Sequence, residues 1–113
     1  MDDVRLADDR TMQLGEELDV GVVRVVKRDG SAFVSPTALL YAYDSAGAVD
    51  GDVNGLNMTI TGTTMLEIRK TLTTGAGKML TAAGDYSLEY VLTEGSKVKR
   101  WHQALHLLAV PAP

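Results

Sequence analysis

The sequence predicts an all-β protein built as a β-sandwich, and three observations lead to that prediction. Apolar and polar residues alternate over several segments, which is the period of two that a half-buried strand requires. About seven such segments follow one another at roughly ten-residue spacing, with turn residues between them, as in sandwich proteins. No segment carries the 3.6-residue apolar stripe of an amphipathic helix. We therefore expect an antiparallel sandwich of about seven strands.

The composition describes one ordinary globular domain. The chain has 113 residues, of which 45% are hydrophobic and 23% are charged, and this length can bury a single core without a metal or a disulfide. Cysteine is absent, so a disulfide-stabilised secreted domain is excluded and synthesis in the cytoplasm is expected. The acidic start of the chain is not followed by the apolar segment of a signal peptide.

The charge balance limits the expected partners. The formal net charge is −4, whereas binding to nucleic acid depends on clustered Lys and Arg. One small basic cluster is present, at Lys97, Lys99 and Arg100, and it does not reverse that expectation. No run approaches the ~18 apolar residues of a membrane span. Neither nucleic acid nor a membrane is therefore an expected partner.

The predicted elements follow in chain order. Residues 1–10 are polar and mixed in charge, and they are expected to form an N-terminal arm or a short edge strand. Residues 11–110 are expected to form the sandwich, and residues 111–113 a C-terminal tail. The predicted strands lie at 11–14, 18–28, 37–44, 56–61, 65–73, 85–93 and 97–110. Between them, 45–55 is expected to be a loop or a short edge hairpin, and 78–83 a single helical turn.

Two places stand out as interface candidates. The strand at 18–28 is valine-rich on both faces, and its predicted outer residues Val23 and Val25 are expected to meet the N-terminal arm or a neighbouring molecule. Trp101 is expected to fill the core of the sandwich, and it becomes a candidate interface anchor if its ring points outward.

The end of the chain resembles the end of an immunoglobulin-like sandwich in its disulfide-free form. A small-residue corner at Gly84 and Asp85 precedes Tyr86, and a turn at 94–96 leads into the final strand. The resemblance implies that Tyr86 is the tyrosine of the corner, with its ring packed inward and its hydroxyl bonded to a nearby backbone group. Two departures are the missing cysteine pair and the position of Trp101 in the last strand.

A second resemblance lies in the segments YDSAG at 43–47 and GDYSLEYVLTEGSKVKRW at 84–101. In these segments the chain is similar to accessory virion proteins of tailed bacteriophages. This similarity implies a structural protein of the virion, made in the host cytoplasm, that decorates the capsid or joins head and tail components. Other virion proteins, or further copies of the chain, would be its partners. The alternative is a carbohydrate-binding module of an adhesion or receptor-recognition protein.

Asp50, Asp52 and Asn54 form the best local motif for a metal. With Gly55 they reproduce the first half of a calcium loop, in which oxygen ligands at alternate positions surround the ion. Position twelve of that loop would be Thr61 in place of a bidentate Glu. The same residue types are also ordinary turn formers. We therefore expect calcium to be structurally unimportant.

No recognisable set of catalytic residues is present. The chain has no Cys and no G-x-S-x-G motif. His102 and His106 lie in a predicted strand, where a rise of ~3.4 Å per residue separates them by about 13 Å, too far to share a metal. A non-enzymatic structural or interaction protein without a cofactor is therefore expected.

Overall fold

The computed structural model describes residues 3–6, 10–75 and 77–109, with the backbone alone at 3–6, 10 and 23. These residues form two β-sheets that face each other, and they contain nine strands and no helix. The strands are β1 (Asp3–Leu6), β2 (Arg10–Gln13), β3 (Glu17–Val26), β4 (Thr37–Tyr43), β5 (Val49–Asn57), β6 (Thr59–Thr61), β7 (Met65–Thr73), β8 (Gly84–Glu94) and β9 (Lys97–Leu108).

The strand order places residues from both ends of the chain side by side. One sheet has the order β1-β3-β7-β6, and the other has the order β2-β9-β8-β4-β5. The predicted antiparallel sandwich is confirmed, and among the named strands of the described residues the pair β2–β9 alone is parallel. Because β2 and β9 come from opposite ends of the chain, no hairpin forces them to run in opposite directions. Strand β2 covers only Leu105 to Leu108 of β9.

The structure answers the open or incorrect sequence predictions for three short segments, at 3–6, 56–61 and 78–83. The strand Asp3–Leu6 pairs with β3, so the first ten residues include a short edge strand. The predicted strand at 56–61 is divided between the sheets at Met58, which is buried and whose N–H donates to the carbonyl of Ala38 at 2.9 Å. The predicted helical turn at 78–83 is wrong. Leu80 is fully buried and forms a β-bridge with Thr74, which holds this segment extended.

Strand β3 contains a β-bulge that changes which valines face the core. Val22 pairs with Ile68 and Val25 pairs with Leu66, so three steps along β3 match two steps along β7. The extra residue reverses the alternation, as a bulge does, and Val22 and Val25 are both fully buried. The prediction that Val25 faces outward as an interface residue is therefore wrong.

The core fills the space between the two sheets. Its largest fully buried side chains are Leu40, Leu66, Ile68, Leu72, Leu80, Leu88, Tyr90 and Leu105. Tyr90 lies among them with a polar partner, because its hydroxyl donates to Oε1 of the buried Gln103. The burial of apolar side chains between the two sheets is the main stabilising contribution in a domain without disulfides.

The predicted tyrosine corner is confirmed. The Tyr86 hydroxyl donates to the carbonyl oxygen of Ala82, four residues upstream, at 2.7 Å. The ring is partly buried and packs against the core. Ala82 itself is exposed to solvent. The bond therefore closes the corner before β8 while its acceptor keeps access to water.

Candidate functional site

The two outer faces of the sandwich differ in chemistry. The outer face of the four-stranded sheet carries polar side chains that pair with one another, together with the exposed Met65: Thr71 donates to Asp19 at 2.6 Å, and Arg69 lies 3.0 Å from Glu67. The outer face of the five-stranded sheet carries large apolar and aromatic side chains. Its central residues, which we call the tyrosine face, are Leu39, Tyr41, Tyr43, Glu89, Val91, Arg100 and His102.

Strand alternation produces the tyrosine face. On β4 the buried residues Ala38, Leu40 and Ala42 turn inward, so Tyr41 and Tyr43 turn outward. Tyr41 and Tyr43 are therefore half-buried residues of the outer face and not core residues. The Tyr41 ring lies over Gly55 of β5, where an added Cβ would stand 3.4 Å from the tyrosine hydroxyl. Gly55 thus leaves room for the ring to lie across the neighbouring strand.

Glu89 is the centre of this face. It lies on the outward side of β8, yet its residue is only 8% exposed. Its carboxylate accepts a hydrogen bond from the Tyr43 hydroxyl at 3.2 Å, and lies 3.1 Å from Nε2 of His102 and 3.4 Å from a guanidinium nitrogen of Arg100. A nearly buried carboxylate requires partners of this kind.

The surroundings of Tyr43 favour the protonated form of its hydroxyl, because they raise its pKa. Burial raises the pKa of Tyr43 above its ordinary value of 10.0, and the hydrogen bond to Glu89 together with its negative charge raises it further. Tyr43 therefore remains a hydroxyl donor throughout the neutral range. The face presents fixed aromatic rings around a carboxylate that is already bonded within the protein.

The acidic motif at Asp50, Asp52 and Asn54 lies in the edge strand β5. For 45–55 the sequence predicts a loop or a short edge hairpin; in the structure a turn leads into β5, which forms an edge hairpin with β4. Asp50 accepts hydrogen bonds from the N–H groups of Asp52 at 2.9 Å and Val53 at 3.3 Å. The Asp50 carboxylate is thus engaged with the backbone of its own segment, as expected of an ordinary turn former. The unimportance of calcium stays a prediction.

The other predicted site residues are separated in the structure. The Val23 side chain lies outside the described part of the chain, so its role stays a prediction. Trp101 occupies the inward row of β9 and packs partly buried against the core, which answers the alternative of an outward anchor. His106 is exposed beside Asp85, with 2.9 Å between Nδ1 and the carboxylate, whereas His102 belongs to the tyrosine face. Sequence reasoning missed Glu89, whose signal was a charged residue between apolar ones at the middle of a strand.

A second polar cluster ties the loop after β3 to strand β8. The Lys27 ammonium lies 2.8 Å from Glu94, and the Glu94 carboxylate also accepts from the N–H of Val34 at 2.6 Å. Lys27 further lies 5.1 Å from the centroid of the Phe33 ring. The hydrogen bond from Lys27, followed by that from Val34, lowers the pKa of Glu94 below its ordinary value of 4.5. The ionised carboxylate is thus the form that the folded chain favours.

Glu94→Gln is expected to make the chain less sensitive to acid. Because the pKa of Glu94 is lowered on folding, its contribution to stability is present above 4.5 and is lost as the pH falls below that value. Urea unfolding at about pH 7 and about pH 3 should show a smaller difference between midpoints in the variant than in the wild type. Glu67→Gln, which removes an exposed carboxylate of β7, is the control. A pH difference equally reduced in both variants would contradict the assignment.

The described residues contain neither a metal-ligand cluster nor a membrane-spanning helix. Among them, no group of three or more His, Cys, Asp or Glu side chains is arranged to hold a metal ion. None of these residues forms a helix that is long and apolar enough to cross a bilayer.

Comparisons with known proteins identify the fold. No protein-family model matches the sequence. No curated protein matches it. Among solved structures, the chain is similar to part of a family 123 glycoside hydrolase from Clostridium perfringens, with a TM-score of 0.61 and 9% identity over 93% of this chain. It spans only 23% of that hydrolase, so this likeness concerns the fold alone.

Two smaller structures are similar along nearly their whole length. The first is from a complex of titin M10 with the obscurin-like 1 immunoglobulin domain, with a TM-score of 0.49, 14% identity and coverage of 98% of this chain and 97% of the other. The second is the CooA pilin subunit of enterotoxigenic Escherichia coli, with a TM-score of 0.41, 12% identity and coverage of 99% of both chains.

The topology carries the fold assignment. In the immunoglobulin fold strands A, B, E and D form one sheet, and strands C, F and G form the other. The four-stranded sheet corresponds to A, B, E and D through β1, β3, β7 and β6 in that order. The other sheet corresponds to C, F and G through β4, β8 and β9. The tyrosine corner precedes β8, which is strand F in this scheme. The chain is an all-β immunoglobulin-like sandwich without a disulfide.

Proposed function

We propose that the chain is a non-enzymatic interaction module that binds other proteins through the tyrosine face. The observation that carries this proposal is the outward placement of Tyr41 and Tyr43 on one strand, beside the nearly buried Glu89 that accepts from the Tyr43 hydroxyl. Tyrosine offers a large, rigid and amphipathic contact area at a low cost in side-chain entropy. Aromatic residues and Arg are also enriched where protein interfaces are buried.

The finer proposal is a small virion component of a tailed phage. It decorates the capsid or joins head, neck and tail parts, with other virion proteins or further copies of the chain as partners. Its support is the resemblance in residues 43–47 and 84–101, together with a face suited to repeated contacts between proteins. A carboxylate already bonded to Tyr43 and His102 adds no unpaired charge when a partner covers it.

The test is sedimentation of the purified chain, alone at rising concentration and mixed with shells from tailed phage particles in which mass spectrometry detects the chain. The wild type is expected to self-associate or to sediment with the shells. The double variant Tyr41→Ser with Tyr43→Ser is expected to bind at least about tenfold more weakly, because truncated aromatic anchors dominate such losses.

The control carries two substitutions on the opposite outer face, Arg69→Ser with Thr71→Ser. Both positions are exposed, so this variant is expected to associate as the wild type does. Circular dichroism checks that both variants remain folded. A wild type that stays monomeric and does not bind the shells would count against the tyrosine face as the binding surface. An equal loss of binding in the two double variants would do the same.

A carbohydrate-binding module is the second candidate, and one observation favours it. The tyrosine face combines two rings on one strand with a neighbouring carboxylate and imidazole, a combination of stacking and hydrogen-bonding groups that suits a sugar. A glycan array that retains the wild type, and loses the Tyr41→Ser with Tyr43→Ser variant, would place this candidate above the first.

A further inference from the structure

A cavity opens at one end of the sandwich, on the side of β8 and β9 opposite to the tyrosine face. It lies where the turn after β3 meets the β8–β9 hairpin, and its volume is about 450 Å³. None of the residues that line it belongs to the tyrosine face, so a role for this cavity does not depend on the proposed function. The lining residues, which we call the basic pocket, are Lys27, Arg28, Asp29, Phe33, Leu92, Glu94, Lys97 and Lys99.

The pocket has apolar walls on its inner side. Leu92 is only 3% exposed and belongs to the core, and Phe33 is partly buried against that core. The backbone N–H of Phe33 donates to the carbonyl of Thr63 at 2.9 Å, which anchors the main chain here, and the Lys27 ammonium lies 5.1 Å from the centroid of the Phe33 ring. An aromatic wall is suited to an apolar or aromatic group of a ligand.

Positive charges outnumber negative charges in the pocket, and the negative groups are already bonded within the protein. Four cationic residues line it, but only two carboxylates. Glu94 is engaged by Lys27 and by the N–H of Val34. Asp29 accepts from the N–H of Ser31 at 3.0 Å and from its hydroxyl at 2.7 Å. Both carboxylates are therefore bonded inside the protein.

The exposed rim is consequently positive. Arg28 and Lys97 are both exposed, and among the described residues no carboxylate lies within ion-pairing distance of either. The whole chain has a net charge of −4, so this is a local positive field on an acidic protein. Such a field concentrates anions at one place.

We infer that the basic pocket binds a small anion with an aromatic or apolar body, such as an aryl phosphate, sulfonate or carboxylate. The apolar body lies against Phe33 and Leu92, and the anionic group lies at the rim between Arg28 and Lys97. The guanidinium of Arg28 offers paired donors that match the oxygens of such a group. The cavity is at the small end of the range for ligand sites, which is the size of one ring with its substituent.

The experiment is an amide ¹H–¹⁵N NMR titration of the full chain with phenyl phosphate, and with inorganic phosphate and phenol in separate arms. Phenyl phosphate is expected to shift the amides of residues 27–34 and 92–99 and to saturate. Inorganic phosphate contacts only the cationic rim, and phenol contacts only the apolar wall. Each is therefore expected to bind at least about fivefold more weakly than phenyl phosphate. Equal binding of phosphate and phenyl phosphate would overturn the inference, as would shifts outside these residues.

Matched variants separate this site from general charge attraction. Arg28→Gln with Lys97→Gln is expected to weaken binding of phenyl phosphate at least about tenfold, because it removes both rim cations. Arg69→Gln with Lys78→Gln removes the same charge elsewhere and is expected to bind as the wild type does. Unshifted amides outside the pocket show that each variant is folded. A wild-type binding constant in the rim variant would overturn the inference.

Discussion

Gly21→Ala is expected to destabilise the chain by about 3 kcal/mol or more, through one added methyl group. Gly21 lies in the middle of β3 with φ at +155°, where an added Cβ would overlap the carbonyl oxygen of Ile68 and stand 2.8 Å from its carbonyl carbon. The obstruction is backbone of the neighbouring strand β7, so no side chain can rotate away from it. The two strands must separate near the Gly21–Arg69 pair.

Gly51→Ala is the control for this prediction. An added Cβ at Gly51 meets nothing within 4 Å, so the change is expected to stay within about 0.5 kcal/mol. Urea unfolding of the two variants measures the difference, with a lower midpoint and an unchanged slope expected for Gly21→Ala. Equal midpoints would show that β3 and β7 adjust around the methyl group.

Tyr90→Ala is expected to cost about 3–5 kcal/mol, since truncation of a buried aromatic ring leaves a cavity. Tyr90 is 1% exposed and lies at the centre of the core. Tyr90→Phe keeps the ring and removes the hydroxyl that donates to the buried Gln103, so about 1–3 kcal/mol is expected. These losses are large against the total stability of a domain of this size.

Tyr86→Phe provides the comparison. Its hydroxyl bonds the exposed Ala82, which can take a water molecule instead. The expected cost is therefore nearer 0.5–1.5 kcal/mol, roughly the net value of one hydrogen bond. Thermal or urea melts of both Phe variants rank the two tyrosines. A greater loss for Tyr86→Phe than for Tyr90→Phe would show that the corner hydroxyl stabilises the fold more than the core hydroxyl does.

The fold was predictable where the side-chain pattern alone decides the structure. Leu66, Ile68 and Leu72 lie at even-numbered positions of β7 and are all buried, as a period of two predicts for one face of a strand. The hydroxyl bond of Tyr86 was expected from the resemblance of this segment to the end of an immunoglobulin-like sandwich, and its partner Ala82 lies only four residues away. Local periodicity and local hydrogen bonds are visible in one segment of sequence.

Features that depend on the register between strands were not predictable. The bulge in β3 turns Val25 inward, and only the pairing with β7 reveals the extra residue. Glu89 meets Tyr43 and His102 because three strands align their positions across the sheet. The basic pocket likewise joins residues some seventy positions apart, such as Lys27 and Lys97. One sequence holds no direct signal for such alignment.

The partial cover of β9 by β2 has a consequence for aggregation. Within the described ranges, positions 97–104 of β9 have no strand neighbour on that side, and an open strand edge is a template for fibre growth. Lys97, Lys99 and Arg100 lie along this edge. A second copy approaching edge to edge would bring like charges together, which disfavours continuous pairing. The chain can therefore be concentrated without this edge seeding a fibre.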